Sequence, residues 1–280
     1  MIRAFHIAVF GGIALLLTGC NGGKEAPIWE QVKIRDLGTI DYNTQPDSQR
    51  LKTLNFNVHI FEIPADESGA MDKVWPTLYT QPLRFNNPES FIASSIRIGF
   101  GQVPMWNRVA NTLRSVDGIQ AGTFSLLIPD GQSNDVAIAA IAQEQTVFYT
   151  SDKGTKGGIK LGRGQIGLRV QAEKIAGARE VCRVSVLPVF SPPGRSWVPL
   201  LSAREKADEF LFESAGFRLN ISPGDFVLLG PEKYDSGQTT LSGLLFSKPE
   251  GSMFFNELER KPPELREAVR LFLIVCTSIN

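Results

Sequence analysis

The chain has 280 residues, 29 basic and 29 acidic side chains, two histidines and three cysteines, with 42 % apolar content. A balanced charge offers no field for holding a phosphate backbone, so nucleic acid is not an expected partner. His6 lies in an apolar N-terminal run that reads as a removable leader, which leaves His59 alone, too little for a histidine zinc site or a two-imidazole mechanism; no metal or other cofactor is expected.

Arg3 precedes an apolar run over residues 4–17, broken only by His6 and the Gly11-Gly12 pair. The run is shorter than the roughly 20 apolar residues that span a bilayer, so it reads as an export leader. It ends in Leu17-Thr18-Gly19-Cys20, a leucine, two small residues and a cysteine. This pattern resembles the lipobox of bacterial lipoproteins. The resemblance implies cleavage between Gly19 and Cys20, diacylglycerol on the Cys20 sulfur and acylation, for example by palmitate, of the freed amine. Each buried CH₂ contributes about 0.8 kcal/mol, so one acyl chain holds marginally and two or more anchor firmly. Asn21 follows the cysteine where enteric inner-membrane retention uses Asp, which favours the outer membrane. An ordinary secretory leader and an uncleaved anchor are the alternatives. Losing residues 1–19 removes one basic group, Arg3, and leaves 28 basic against 29 acidic side chains.

Residues 20–50 are polar, with Gly22-Gly23-Lys24-Glu25, and read as a lipidated tether carrying a short strand near Val32 to Ile34. Leu54, Phe56, Val58 and Ile60 then alternate with Asn55, Asn57 and His59, the period of a strand with one buried face. Residues 64–69 read as a turn and 71–79 as helical, limited by Pro76. Asn87-Pro88-Glu89 supplies a cap, an N1 proline and an acid for a helix start. A strand over 96–100 follows, then a helix over 105–114 with Met105, Trp106, Val109 and Leu113 at spacings near 3.6. Short strands are expected at 123–128, 136–142, 146–149, 166–172, 181–189, 217–221, 226–229, 240–246 and 269–277, punctuated by turns such as Pro129-Asp130-Gly131. Residues 203–212, with Ser202 and Glu205 as a capping box, and 257–268 read as helical insertions. The expected fold is α+β: a small α+β N-terminal unit over 51–116, followed by a β-rich domain of many short, mainly antiparallel strands over 117–280.

With Cys20 lipidated, Cys182 and Cys276 are the remaining thiols, in a compartment where disulfides persist. Cys182 shares a strand face with Val184 and Val186, and Cys276 shares one with Phe272 and Ile274, so they form a disulfide if those strands are neighbours. Burial as two small apolar residues is the alternative. Gly162-Arg163-Gly164-Gln165-Ile166-Gly167 has the letters of a dinucleotide loop, but a strand-like stretch follows instead of a helix, so no nucleotide is expected. His59 beside Glu62 or an aspartate would be the one imaginable base, yet its place on a polar strand face fits a solvated or hydrogen-bonded histidine. No catalytic residue is assigned. Residues 130–135 gather oxygen donors without the spacing of a calcium loop, and no metal ligand is assigned there either. Trp75 and Trp106 fit core positions, whereas Trp197, after Pro192-Pro193-Gly194, reads as exposed.

Ile221-Ser222-Pro223-Gly224-Asp225-Phe226, running on to Gly230, resembles a stretch of secretin C-terminal domains: strand, glycine-acid turn, strand ending in glycine. Residues 240–246 and 269–279 are similar to the next and the closing strands, although residues 231–238 do not reproduce the proline and glycine lip. The resemblance implies association with a secretion or surface assembly. The function expected is therefore that of a membrane-anchored envelope lipoprotein acting through protein contacts, without catalysis. A lipid-anchored binding module for a glycan or small molecule is the alternative, and an envelope hydrolase a further one.

Overall fold

The computed structural model describes residues 52–178, 180–193, 209–248, 253–254, 264–265 and 267–280. The leader, Gly19, Cys20, the tether and Trp197 lie outside the described residues. The described residues belong to one compact unit. The chain runs through β1 (Thr53–Pro64), two 3₁₀ turns (Ala65–Lys73 and Trp75–Thr77), β2 (Arg84–Phe85), α1 (Pro88–Ala93), β3 (Ile96–Gly101) and α2 (Val103–Ser115). β4 (Ile119–Pro129), β5 (Ser133–Ile141), β6 (Gln145–Thr150), β7 (Lys156–Leu161), β8 (Gly164–Lys174) and β9 (Cys182–Ser191) follow. Then come β10 (Phe210–Leu211), a 3₁₀ turn (Glu213–Ala215), β11 (Phe217–Ile221), β12 (Phe226–Pro231), α3 (Leu241–Phe246), β13 (Ser247–Lys248), β14 (Met253–Phe254), β15 (Glu264–Leu265) and β16 (Ala268–Ile279). The protein is thus β-rich with antiparallel sheets.

The first sheet has the order β3-β12-β16-β1-β4, with β13 also on β16; the second has the order β2-β11-β9-β8-β5, with β10 also on β9. Inward residues of both, among them Phe56, Val58, Phe272 and Ile274 from the first and Ile166, Val170, Val184 and Leu219 from the second, form one apolar core. The opposite face of the first sheet is covered as well. Trp106 of α2 packs against Phe61 of β1 and edge-on to Phe226 of β12, at 6.4 and 6.0 Å between ring centroids. Trp75 lies over Gly230 beside Leu271. Both tryptophans are therefore core residues, as expected.

Strand register explains the alternation in β1. Phe56 and Val58 point between the sheets while Phe61 and Ile63 point under α2, because successive side chains of a strand alternate faces. β16 carries both sets in one continuous apolar run: Phe272, Ile274 and Cys276 face the second sheet, and Leu271, Leu273 and Val275 face away from it. Among the described residues the second sheet is covered on one side, and β11 reads buried, exposed, buried, exposed, buried.

Several expectations are corrected. Residues 51–116 do not close into a small unit of their own. β1 lies between β16 and β4 in the first sheet, and β2 joins the second. Period-two alternation marks a strand but does not say which distant segment pairs with it. Residues 71–79 form 3₁₀ turns, since the 65–73 turn starts before them and Pro76 sits at the start of the next. Residues 240–246 are a helical turn, α3, not a strand. Thr240 caps it by accepting a hydrogen bond from the Gly243 amide at 3.0 Å, and all six of its residues are buried, so the apolar run has no period to read. Residues 210–211 are strand where a helix was expected; residues 203–208, and most of 257–268, lie outside the described residues. Conversely, α1 starts at the expected cap, with the Asn87 side chain accepting from the Ser90 amide at 3.0 Å, and α2 spans the expected helix.

Candidate functional site

Among the described residues the β6–β7 hairpin stands apart from both large sheets and pairs in register with itself. It is held in place from three sides. The Asn87 amide donates to the Asp152 carbonyl at 2.6 Å and the Ser90 hydroxyl to the Ser151 carbonyl at 2.7 Å, so the cap of α1 latches the hairpin turn. The buried Ser214 hydroxyl donates to the Thr150 carbonyl. On the far edge the Phe148 amide donates to the Thr239 carbonyl at 2.7 Å.

Between these supports lies a groove of about 390 Å³, lined by the end of α1 and the residues after it (93–95), by 148–150 of β6, by Lys156, by 233–235 and by 240–242. Its size falls within the range of about 300–1,000 Å³ common for ligand sites. Phe148 is 52 % exposed on this groove, and Ile92, next to the lining residue Ala93, is 69 % exposed. Tyr149 turns the other way, edge-on to Phe210 and Phe212. Lys156 and Lys233 bring positive charge to the lining. Asp235 is committed to structure: its carboxylate accepts from the Gly237 amide at 2.8 Å and the Thr240 hydroxyl at 2.9 Å, and its carbonyl accepts from the Ser247 hydroxyl. The Ser242 hydroxyl donates to the Ser95 carbonyl at 3.2 Å, tying the two walls together. The arrangement can hold an apolar side chain against Phe148 with an acidic or hydroxyl-rich group beside the lysines. No protein family matches the chain, and no curated protein is significantly similar to it in sequence.

The residues singled out in the sequence fall elsewhere. His59 is buried, with its Nδ1 at 3.1 Å from the Thr123 hydroxyl, and burial holds its pKa down to about 4. Glu62, three positions along β1, projects from the opposite face and is bound by Lys248 at 2.7 Å and Arg270 at 3.4 Å. The imagined histidine–carboxylate pair is therefore not brought together. The oxygen-rich stretch 130–135 is the turn from β4 into β5. There Asp130 accepts from the Lys174 amide at 2.7 Å, and Asp135 takes a bidentate Arg169 at 2.8 and 2.7 Å, whose guanidinium is kept well above its usual range mainly by that hydrogen bond. Among the described residues no group of three or more histidine, cysteine, aspartate or glutamate side chains could hold a metal ion. Gly164 and Gly167 belong to β8. A Cβ on Gly167 would lie 2.5 Å from the Val136 carbonyl oxygen, so this glycine serves close strand approach beside the β5 bulge.

The outer face of the second sheet carries a different feature. Arg84 of β2 stands directly opposite Arg218 of β11, and Asn220 opposite Arg183 of β9. Arg183 is neutralised by Glu173 at 2.7 Å, whereas neither Arg84 nor Arg218 has a carboxylate partner among the described residues.

Cys182 and Cys276 are free thiols buried in the same apolar core. Their strands, β9 and β16, are not neighbours in one sheet. They belong to opposite sheets, and both side chains are buried in the core between them.

The groove draws on residues from three well-separated regions of the sequence, 93–95, 148–156 and 233–242, and no motif announced it. Two local signals were present: the exposed phase of Phe148 in β6 and the capping threonine at 240.

Proposed function

We propose that the protein is a lipid-anchored component of a bacterial cell envelope that acts by binding another envelope protein, without catalysing a reaction, and that the groove beside Phe148 receives that partner. The lipobox residues Leu17 to Cys20 support the anchor. The observation that carries the contact reading is the half-exposed Phe148 side chain, standing at a groove whose backbone is fixed by hydrogen bonds from α1, the 213–215 turn and residue 239. Exposed apolar groups held on a rigid support mark recognition surfaces. The lysines at 156 and 233 favour a partner segment that combines an apolar anchor with acidic residues. A secretion or surface assembly is the setting suggested by the β11–β12 stretch and β16, while the helical α3 removes one strand from that resemblance.

A second reading, a lipid-anchored binder of a glycan or small molecule, draws on the same groove, whose hydroxyls at Ser94, Ser95, Thr150 and Ser242 accompany an aromatic ring. Chemical crosslinking in native membranes, mild extraction and mass spectrometry separate the two, with Cys20→Ala as the unlipidated control. Recovery in a complex with outer-membrane or secretion subunits, lost in the control, is the expected result. A lipidated protein recovered alone contradicts the protein-contact reading and favours the ligand reading.

A further inference from the structure

We propose that Cys182 and Cys276 are joined in a disulfide that staples the two sheets together beside the turn where the chain crosses from one to the other. Sheets packed face to face lie about 10 Å apart on average, whereas a disulfide needs Cα atoms about 4.4–6.8 Å apart, so a bridge between sheets needs a place where the two approach. This pair sits where that spacing is closed by the backbone. β11 belongs to the second sheet and β12 to the first, and only residues 222–225 separate them. Cys182 pairs with Ile221, the last residue before the crossing. Cys276 is bonded to the crossing itself: its carbonyl accepts from the Gly224 amide at 2.8 Å and its amide donates to the Asp225 carbonyl at 3.0 Å. One tight turn therefore holds both cysteines, one on each side.

The turn is itself well determined. Gly224 has φ +89°, in the region that favours glycine, and the Asp225 carboxylate accepts from the Ser222 amide at 3.0 Å. Both cysteines are fully buried in the same apolar core. The Cys182 sulfur as hydrogen-bond partner, and then burial, push the Cys276 thiol above its ordinary range, so the reduced pair remains protonated and unreactive once the core has closed. Oxidation accordingly belongs to folding, before the sheets pack. The two thiols lose two protons and two electrons, one sulfur–sulfur bond forms, and a disulfide-bearing oxidant of the envelope is reduced to its dithiol. The oxidising compartment rests on the lipoprotein reading above; the geometry of the pair does not.

The test uses the full-length protein expressed with its leader. Cells are quenched in acid, the protein is denatured, and free thiols are tagged with a maleimide-bearing polymer before and after reduction, in the envelope and soluble fractions separately. The expected result is envelope protein with no tag before reduction and two after, and one tag without reduction in each of Cys182→Ala and Cys276→Ala. A reductant should also lower the Tm of the natural protein by about 10 °C and leave the double alanine variant unmoved. Two tags before reduction on envelope protein would overturn the disulfide and leave the placement standing. Two or more tags on protein found in the soluble fraction would overturn both.

Discussion

The two large sheets differ in how many of their faces are covered, and that difference governs what each can do. β16 and β12 of the first sheet lie under α2 and the 3₁₀ turns on one side and against the second sheet on the other. Their side chains have no free direction left, so this sheet is a scaffold. β8, β9 and β11 of the second sheet alternate, and their outer face turns Arg218, Arg183 and Glu173 to solvent, with Arg169 held between Asp135 and Glu209. The β6–β7 hairpin, bound to neither sheet in register, is latched at its edges and keeps an aromatic ring exposed. A recognition surface fits the parts that the scaffold positions but does not cover.

The sharpest way to break this contrast is to hollow the scaffold. Phe272→Ala, in the strand with both faces covered, is expected to cost about 3–5 kcal/mol in urea denaturation, whereas Gln171→Ala on the open face of the second sheet should stay within about 0.5 kcal/mol. Equal costs at the two positions would refute the layering.

Acid probes the covered side of β1. His59 is neutral when folded, with its pKa lowered by burial to about 4 from 6.5. A depressed folded value means that its contribution is present in full above the unfolded pKa and is lost as pH falls from about 6.5 towards 4, a loss of about 3 kcal/mol. His59→Gln should flatten the urea midpoint across that window. An unchanged slope would mean that the imidazole reaches water.

Smaller effects sharpen the groove and the open face. Thr240→Ala removes the cap of α3 and should cost about 1 kcal/mol, read as a lower Tm. Arg84→Gln relieves a like-charged pair opposite Arg218 and should gain a few tenths of a kcal/mol at low salt, vanishing at high salt, in paired denaturation curves.

What could be read in advance follows from the same contrast. Alternation in residues 54–60 and 217–221 marks strands with distinct faces, and the cap and spacing of α1 and α2 mark helices, so these elements were legible. Continuous apolar runs were not equivalent: 269–276 is a strand covered on both faces, and 241–246 is a buried helical turn. Nothing in the local pattern separates the two, because neither leaves a polar face. Pairing between residues far apart escaped as well, which is why β1 looked like part of a separate unit while it lies between β4 and β16. The cysteines show both sides of this. Their strand faces were correctly read as apolar, yet the approach was sought between neighbouring strands, whereas the two strands lie in opposite sheets with the core between them. The groove was illegible because its walls come from residues 93–95, 148–156 and 233–242, brought together only by tertiary hydrogen bonds.

The central claim is that the exposed hairpin groove, and not the open face of the second sheet, meets an envelope partner. A photoreactive phenylalanine analogue placed at Phe148, and separately at Gln171, tests it in intact cells. The account predicts a discrete higher-mass adduct from position 148 that disappears in Cys20→Ala, and none from position 171. Adducts from position 171 alone, or from neither position, would contradict it.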